Sequence, residues 1–146
     1  MNNFRFFLLF ILASMSSFKS SENTGMIKLL VYQLRSDEGK VQVSLYNSSK
    51  GFPMDQERSY RNAVVSVKDG KGEAIFTDLP MGEYAIALIH DENGNGQMDT
   101  NFLGMPKEGI GASNDAKATF GPPKYEDAKF TLNQPVLELR IKARYF

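Results

Sequence analysis

The segment Leu137-Glu-Leu-Arg-Ile-Lys-Ala-Arg-Tyr145 alternates apolar and charged residues without a break. Successive side chains of a β-strand point to opposite faces, so this segment has one dry face and one wet face. Such a strand belongs to a sheet packed on one side only, as in a two-layer antiparallel fold. Working back along the chain, the same period recurs. Tyr84, Ile86 and Leu88 share one face of a strand whose other face carries Ala85, Ala87 and Ile89. Ala74 and Phe76 alternate with Glu73, Ile75 and Thr77, and Val41, Val43 and Leu45 alternate with Gln42 and Ser44. Ala63 to Lys68 is valine-rich, Phe130 and Leu132 mark a short strand, and Met26 to Leu34 is a nearly continuous apolar run suited to a strand covered on both faces.

Turn chemistry punctuates these runs at Asp37-Glu38-Gly39, Asn47 to Gly51, Asp69-Gly70 and Pro80-Met81-Gly82. Asp69-Gly70 between two strand patterns is a hairpin signal. No long helical period appears. The expectation is an all-β domain: about seven antiparallel strands in a Greek-key β-sandwich. One stretch, 91–128, shows little strand pattern. Its Phe102, Leu103, Met105, Ile110, Phe120 and Tyr125 supply enough apolar material for a long loop that is ordered on the sandwich.

The N-terminus reads as an address. Arg5 precedes the apolar run Phe6 to Ala13, and small residues follow at Ser14, Ser16 and Ser17. That order is a secretory signal peptide, over residues 1–20, and the apolar run is shorter than the ~20 residues of a membrane-spanning helix. The mature domain is then 21–146, secreted or periplasmic at the cell envelope, and not membrane-spanning once processed. Removing Arg5 and Lys19 from the 17 basic residues leaves 15 against 17 acidic ones. A chain so balanced lacks the basic field that nucleic acid requires. It has no cysteine, which excludes disulfides, thiolate metal sites and a thiol nucleophile. A porin-like barrel would repeat the last strand's pattern many times, and only that strand shows it.

The residues with the most chemistry are Asp91-Glu-Asn-Gly-Asn-Gly-Gln-Met-Asp99. Oxygen-bearing side chains stand at positions one, three, five and nine of this run, Asp91, Asn93, Asn95 and Asp99, with glycine at position six. Calcium, a hard cation, takes six to eight oxygens, and this spacing matches the first nine positions of a calcium loop, with the Gln97 carbonyl as the seventh-position ligand. The bidentate carboxylate of position twelve is missing, because Phe102 stands there. Glu108, Asp115 or Asp78 would have to supply it, and the affinity expected is weak, on the order of 10⁻⁴–10⁻³ M. Asp, Asn and Gly are also the commonest turn residues, so a bare turn is the competing reading.

His90 is in phase with Tyr84, Ile86 and Leu88 and reads as a core-edge histidine bonded to backbone. The enzymatic alternative places His90, Asp91 and Glu108 in a hydrolytic cleft under the 91–128 loop; a Ser–His–Asp arrangement would need a serine such as Ser113 to meet His90 in space, which nothing in the spacing suggests, and a single imidazole and no thiolate disfavour a transition metal. Phe76-x-x-Leu79-Pro80-x-Gly82-x-Tyr84 reads as a corner, its tyrosine packing inward and bonding the backbone. A further alternative is a carbohydrate- or peptide-binding module using loop Tyr and Phe; the lack of tryptophan weakens the sugar version.

Several of these segments together, Gly51-Phe-Pro53, Phe76-Thr-Asp-Leu-Pro-Met-Gly-Glu-Tyr84, His90 through Gly109, Ser113-Asn114 and Gly121-Pro-Pro-Lys-Tyr-Glu-Asp-Ala128, resemble the bacterial secreted family called domain of unknown function 2141. The resemblance runs from about Met26 to Tyr145. More distantly, the Phe76-to-Tyr84 motif is similar to prealbumin-like, Cna B-type surface modules, in the wider class of immunoglobulin-like sandwiches, some of which hold calcium in Asp/Asn loops. Catalytic relatives of that sandwich, hydroxyisourate hydrolase and the intradiol dioxygenases, use several histidines, and this chain has one. The family has no established activity, so the resemblance bears on compartment and domain limits; the expectation overall is a non-enzymatic binding or structural module of the envelope, with a divalent cation in the 91–99 loop and an envelope protein or glycan as partners.

Overall fold

The computed structural model describes residues 23–117 and 120–146. The signal-peptide expectation lies outside them. Eight strands occur among the described residues: β1 (Thr24–Tyr32), β2 (Lys40–Tyr46), β3 (Arg61–Ser66), β4 (Lys71–Pro80), β5 (Gly82–Asp91), β6 (Gly109–Ala112), β7 (Phe130–Leu132) and β8 (Val136–Lys142). They form two sheets. One runs β4-β1-β8; the other runs β3-β2-β5-β6, with β7 also paired to β5. Among the described residues the only α-helical element is the single turn α1 (Tyr125–Ala128). No helix among them is long and apolar enough to cross a membrane.

Both sheets contribute to one core. Ile27, Leu29 and Val31 of β1, with Ala74 and Phe76 of β4 and Ile141 of β8, meet Val41, Val43 and Leu45 of β2 and Tyr84, Ile86 and Leu88 of β5. The period-two sets of the sequence are these inward faces. The Asp69-Gly70 hairpin forms, with positive φ at both residues and Lys68 paired to Lys71. It carries the chain from one sheet to the other, since β3 pairs with β2 and β4 with β1. The Asp37 carboxylate clamps the turn, accepting from the Asp69 and Gly70 N–H groups at 2.9 and 2.8 Å. The corner tyrosine also behaves as its position demands: Tyr84 is buried and its hydroxyl donates to the Pro80 carbonyl at 2.7 Å.

Three expectations are corrected. β1 is not covered on both faces: Lys28 is exposed and Met26, Leu30 and Tyr32 are half-buried. Its outer apolar residues are covered in part by long side chains instead, as where the Arg140 guanidinium lies 5.0 Å over the Tyr32 ring. The sheets are not wholly antiparallel, because β1 and β8 run parallel, from Met26 opposite Val136 to Tyr32 opposite Lys142. Alternation along one strand reports its faces, not the direction of its neighbour. Finally, 91–128 is not all loop. Gly109–Ala112 is β6, too short and too glycine-rich to alternate legibly, and it pairs with β5 through Ala87–Ala112 and His90–Gly109.

The outer face of the larger sheet holds a second, smaller core. Tyr46, Ala85, Ala87 and Ala112 form one cluster with Tyr125 and Ala128 of the α1 turn, with Phe52 against it. Phe52 meets Tyr46 and Tyr125 edge-on, at centroid distances of 5.3 and 5.8 Å. The 91–128 segment is therefore anchored by apolar packing at its far end and by hydrogen bonds at its near end.

Candidate functional site

β5 ends at Asp91, and the chain there leaves the sheet into 92–108. The Asp91 side chain stays buried at 4 % exposure. Its carboxylate gathers the loop behind it: Oδ1 accepts from Asn95 N–H at 3.2 Å, and Oδ2 from Gly96 N–H at 2.9 Å and Gln42 Nε2 at 2.7 Å. Asn93 and Asn95 repeat the device two residues ahead of themselves, each side-chain oxygen accepting a backbone N–H, from Asn95 at 3.1 Å and Gln97 at 2.9 Å. Their amide nitrogens both reach Asp99. Asn93 Nδ2 lies 2.6 Å from its Oδ2, and Asn95 Nδ2 lies 3.0 Å from the same oxygen. Asp91, Asn93, Asn95 and Asp99 thus form one hydrogen-bonded group, and Gln97 joins it through its backbone N–H.

Residues 100–106 make a closed excursion, because Lys107 N–H donates to the Asp99 carbonyl at 2.9 Å. Phe102, at the twelfth position, sits on its exposed tip. The excursion returns the chain beside Asp99 and so delivers Glu108, which is 4 % exposed. Glu108 accepts from Asp99 N–H and Glu92 N–H, each at 3.2 Å. Of the three carboxylates named for the missing position, Glu108 is bonded into this loop. Asp115 instead pairs with Arg144 at 3.8 Å, and Asp78 lies on β4 in the other sheet. An open cleft of about 380 Å³ is lined by Asn93, Asp99 and Glu108 together with Glu92, Arg35 and Lys107. Among the described residues no three His, Cys, Asp or Glu side chains group as metal ligands, so any cation here would rest largely on amide and carbonyl oxygens.

His90 sits one residue before this loop and is fully buried. Its Nε2 faces the Glu38 carbonyl at 2.9 Å, and a carbonyl only accepts, so Nε2 carries the proton. Nδ1 lies 2.7 Å from the Tyr145 hydroxyl, which itself accepts from Arg35 N–H at 3.1 Å. Burial pushes the Tyr145 phenol above its ordinary value of 10.0, keeping it a donor. Ser113 does not meet His90. Its hydroxyl donates to the Ala128 carbonyl at 2.6 Å and accepts from Ile86 N–H at 2.9 Å, tying the α1 turn to β5.

A family model described as "Uncharacterized protein conserved in bacteria (DUF2141)" matches residues 29–139. The chain belongs to this family. No curated protein and no solved structure matches it. In this DUF2141 chain the match takes in the whole 91–108 loop, while Tyr145, which completes the His90 bonds, lies beyond it.

Sequence reasoning missed Arg35, Gln42, Glu92 and Tyr145. Arg35 is bidentate on Glu92, with Nε at 3.1 Å from both carboxylate oxygens; it also reaches the Lys107 carbonyl at 3.2 Å and lies 4.5 Å over the Tyr145 ring. No local spacing announces a contact between residues so far apart in the chain. Hydrogen bonds from Arg35 hold the Glu92 carboxyl below its ordinary value of 4.5, and the N–H groups of Gly70 and Asp69 hold Asp37 below 3.8. Folding therefore favours the ionised form of each. The resulting stability is fully present above those ordinary values and is lost as pH falls through the depressed ones. The melting temperature is expected to hold level down to the carboxylate range and then decline. In Glu92→Gln/Asp37→Asn the decline should be shallower; an unchanged acid limb would remove these two groups as its source.

Proposed function

We propose that this DUF2141 chain is an exported, non-enzymatic binding module of the bacterial envelope, a Greek-key sandwich of prealbumin-like type whose 91–108 loop is ordered by calcium. The observation that carries the reading is the assembly of Asp91, Asn93, Asn95 and Asp99 into one hydrogen-bonded group with the buried Glu108 bonded against it. The donor set is all oxygen, as a hard cation prefers, and Glu108, bonded to Asp99 N–H, would supply the carboxylate that Phe102 does not. Asp91, Asn93, Asn95, Asp99, Glu108 and the Gln97 carbonyl would hold the ion. What it would supply is charge neutralisation and rigidity in the loop. Two sheets sharing one core support the sandwich assignment. A buried His90 with both nitrogens bonded supports a structural role for that residue.

An ion that binds only the folded loop stabilises it by about 2.7 kcal/mol at a hundredfold excess over its dissociation constant. The melting temperature should therefore rise with millimolar calcium and fall back in chelator. Asp91→Ala/Asp99→Ala should lose the response. Superimposable melting curves in calcium and chelator would defeat the calcium reading.

A further inference from the structure

The outer face of the larger sheet carries a trough that the calcium reading does not use. Register places Ser44, Ala87 and Ala112 in one row across β2, β5 and β6, and Gln42, Ile89 and Ile110 in the next. The first row is all small side chains, so the floor is sunken. In the next row of the sheet, on the other side of Ser44, Tyr46 stands opposite Ala85, with Phe52 edge-on to Tyr46 and to Tyr125. The sides of the trough are the 53–56 segment and the 104–106 and 121–123 turns, and the cleft encloses about 440 Å³. Met54, Met105 and Phe146 stand exposed at its margin. That volume and an apolar lining with few polar groups are the character of a small-molecule site.

The polar groups set the ligand's charge. Among the described residues Lys117 and Arg144 are the charged side chains that line the cleft, and no Asp or Glu joins them there. Arg144 is ion-paired with Asp115 at 3.8 Å, longer than a hydrogen bond, so a ligand carboxylate would share this cation with Asp115. Gln42 and Gln56 are neutral and bonded to each other at 3.1 Å. Two cationic side chains lining an apolar trough make it complementary to a molecule with a greasy body and one negative end. We infer that this cleft binds a soluble single-chain amphiphile bearing one carboxylate, with its chain along the Ala87–Ala112 floor and its carboxylate at Lys117 and Arg144.

The test is a titration of the ¹⁵N-labelled protein with octanoate, octanol and octylammonium, probes that share a chain and differ in charge. Octanoate should bind tightest and octylammonium weakest, and octanoate should shift the amides of Ala87, Ile89, Ile110 and Ala112. Loss of two charge-assisted contacts in Lys117→Gln/Arg144→Gln should weaken octanoate about tenfold and leave octanol unchanged. Both residues are at the surface, and the variant's melting temperature checks its fold. Equal binding of octanoate and octanol, shifts confined to Phe102 and Leu103, or no shift at millimolar octanoate would overturn the proposal. So would sedimentation with phosphatidylglycerol vesicles without octanoate binding, which would mark a membrane-facing surface instead.

Discussion

Gly39→Ala is expected to destabilise the protein by about 3 kcal/mol or more, lowering the melting temperature by roughly 10 °C. Gly39 immediately precedes β2 and has φ +66°, where an L side chain is strained. The larger cost is steric. A Cβ there would lie 1.9 Å from the Asp91 carbonyl oxygen and 2.7 Å from Glu92 Cα. Both are backbone atoms, so no side chain can swing aside. Relief requires β2 and β5 to part where Lys40 pairs with Asp91, at the root of the 91–108 loop. The calcium response should weaken with the fold. Gly104→Ala is the control: its φ is +77° but nothing lies within 4 Å of the added carbon, and it should cost only about 1 kcal/mol. Equal losses in the two variants, measured by chemical denaturation, would show that the strand ends part freely.

The second large effect is expected at His90. Replacing this fully buried ring by alanine removes two hydrogen bonds and leaves a cavity. The Glu38 carbonyl and Tyr145 hydroxyl lose their partner, and the combined cost should be about 3–4 kcal/mol. His90→Gln keeps a donor and an acceptor and should recover part of it. Denaturant midpoints read both; a His90→Ala protein within 1 kcal/mol of the parent would mean that water replaces the ring at no cost. The two predictions meet at one corner. Glu38 and Gly39 press on His90 and Asp91, so the turn before β2 holds the root of the candidate site.

The alternation of Leu137 to Ala143 and of Tyr84 to His90 told the inward faces of β8 and β5, because a strand's period is a local property of the backbone. The same holds for the Asp69-Gly70 turn, whose positive φ values those two residues accept, and for Tyr84 at its corner. The oxygen spacing of 91–99 was equally legible, since Asp91, Asn93 and Asn95 each bond a backbone N–H only a few residues away. Pairing partners were not. That β8 lies parallel to β1, and that Gly109–Ala112 extends the β5 sheet, depend on contacts between segments distant in the chain.

The sequence by itself thus determined the strand faces, the tight turns and the oxygen-rich bend after β5, all of them consequences of neighbours along the backbone. Only the tertiary structure decided which carboxylate joins that bend. Glu108 arrives because the 100–106 excursion folds back on Asp99, and Arg35 and Tyr145 arrive from opposite ends of the chain to lock Glu92 and His90. The trough of Ser44, Ala87 and Ala112 is likewise invisible until three strands are in register, for its depth is the absence of side-chain volume summed across a sheet.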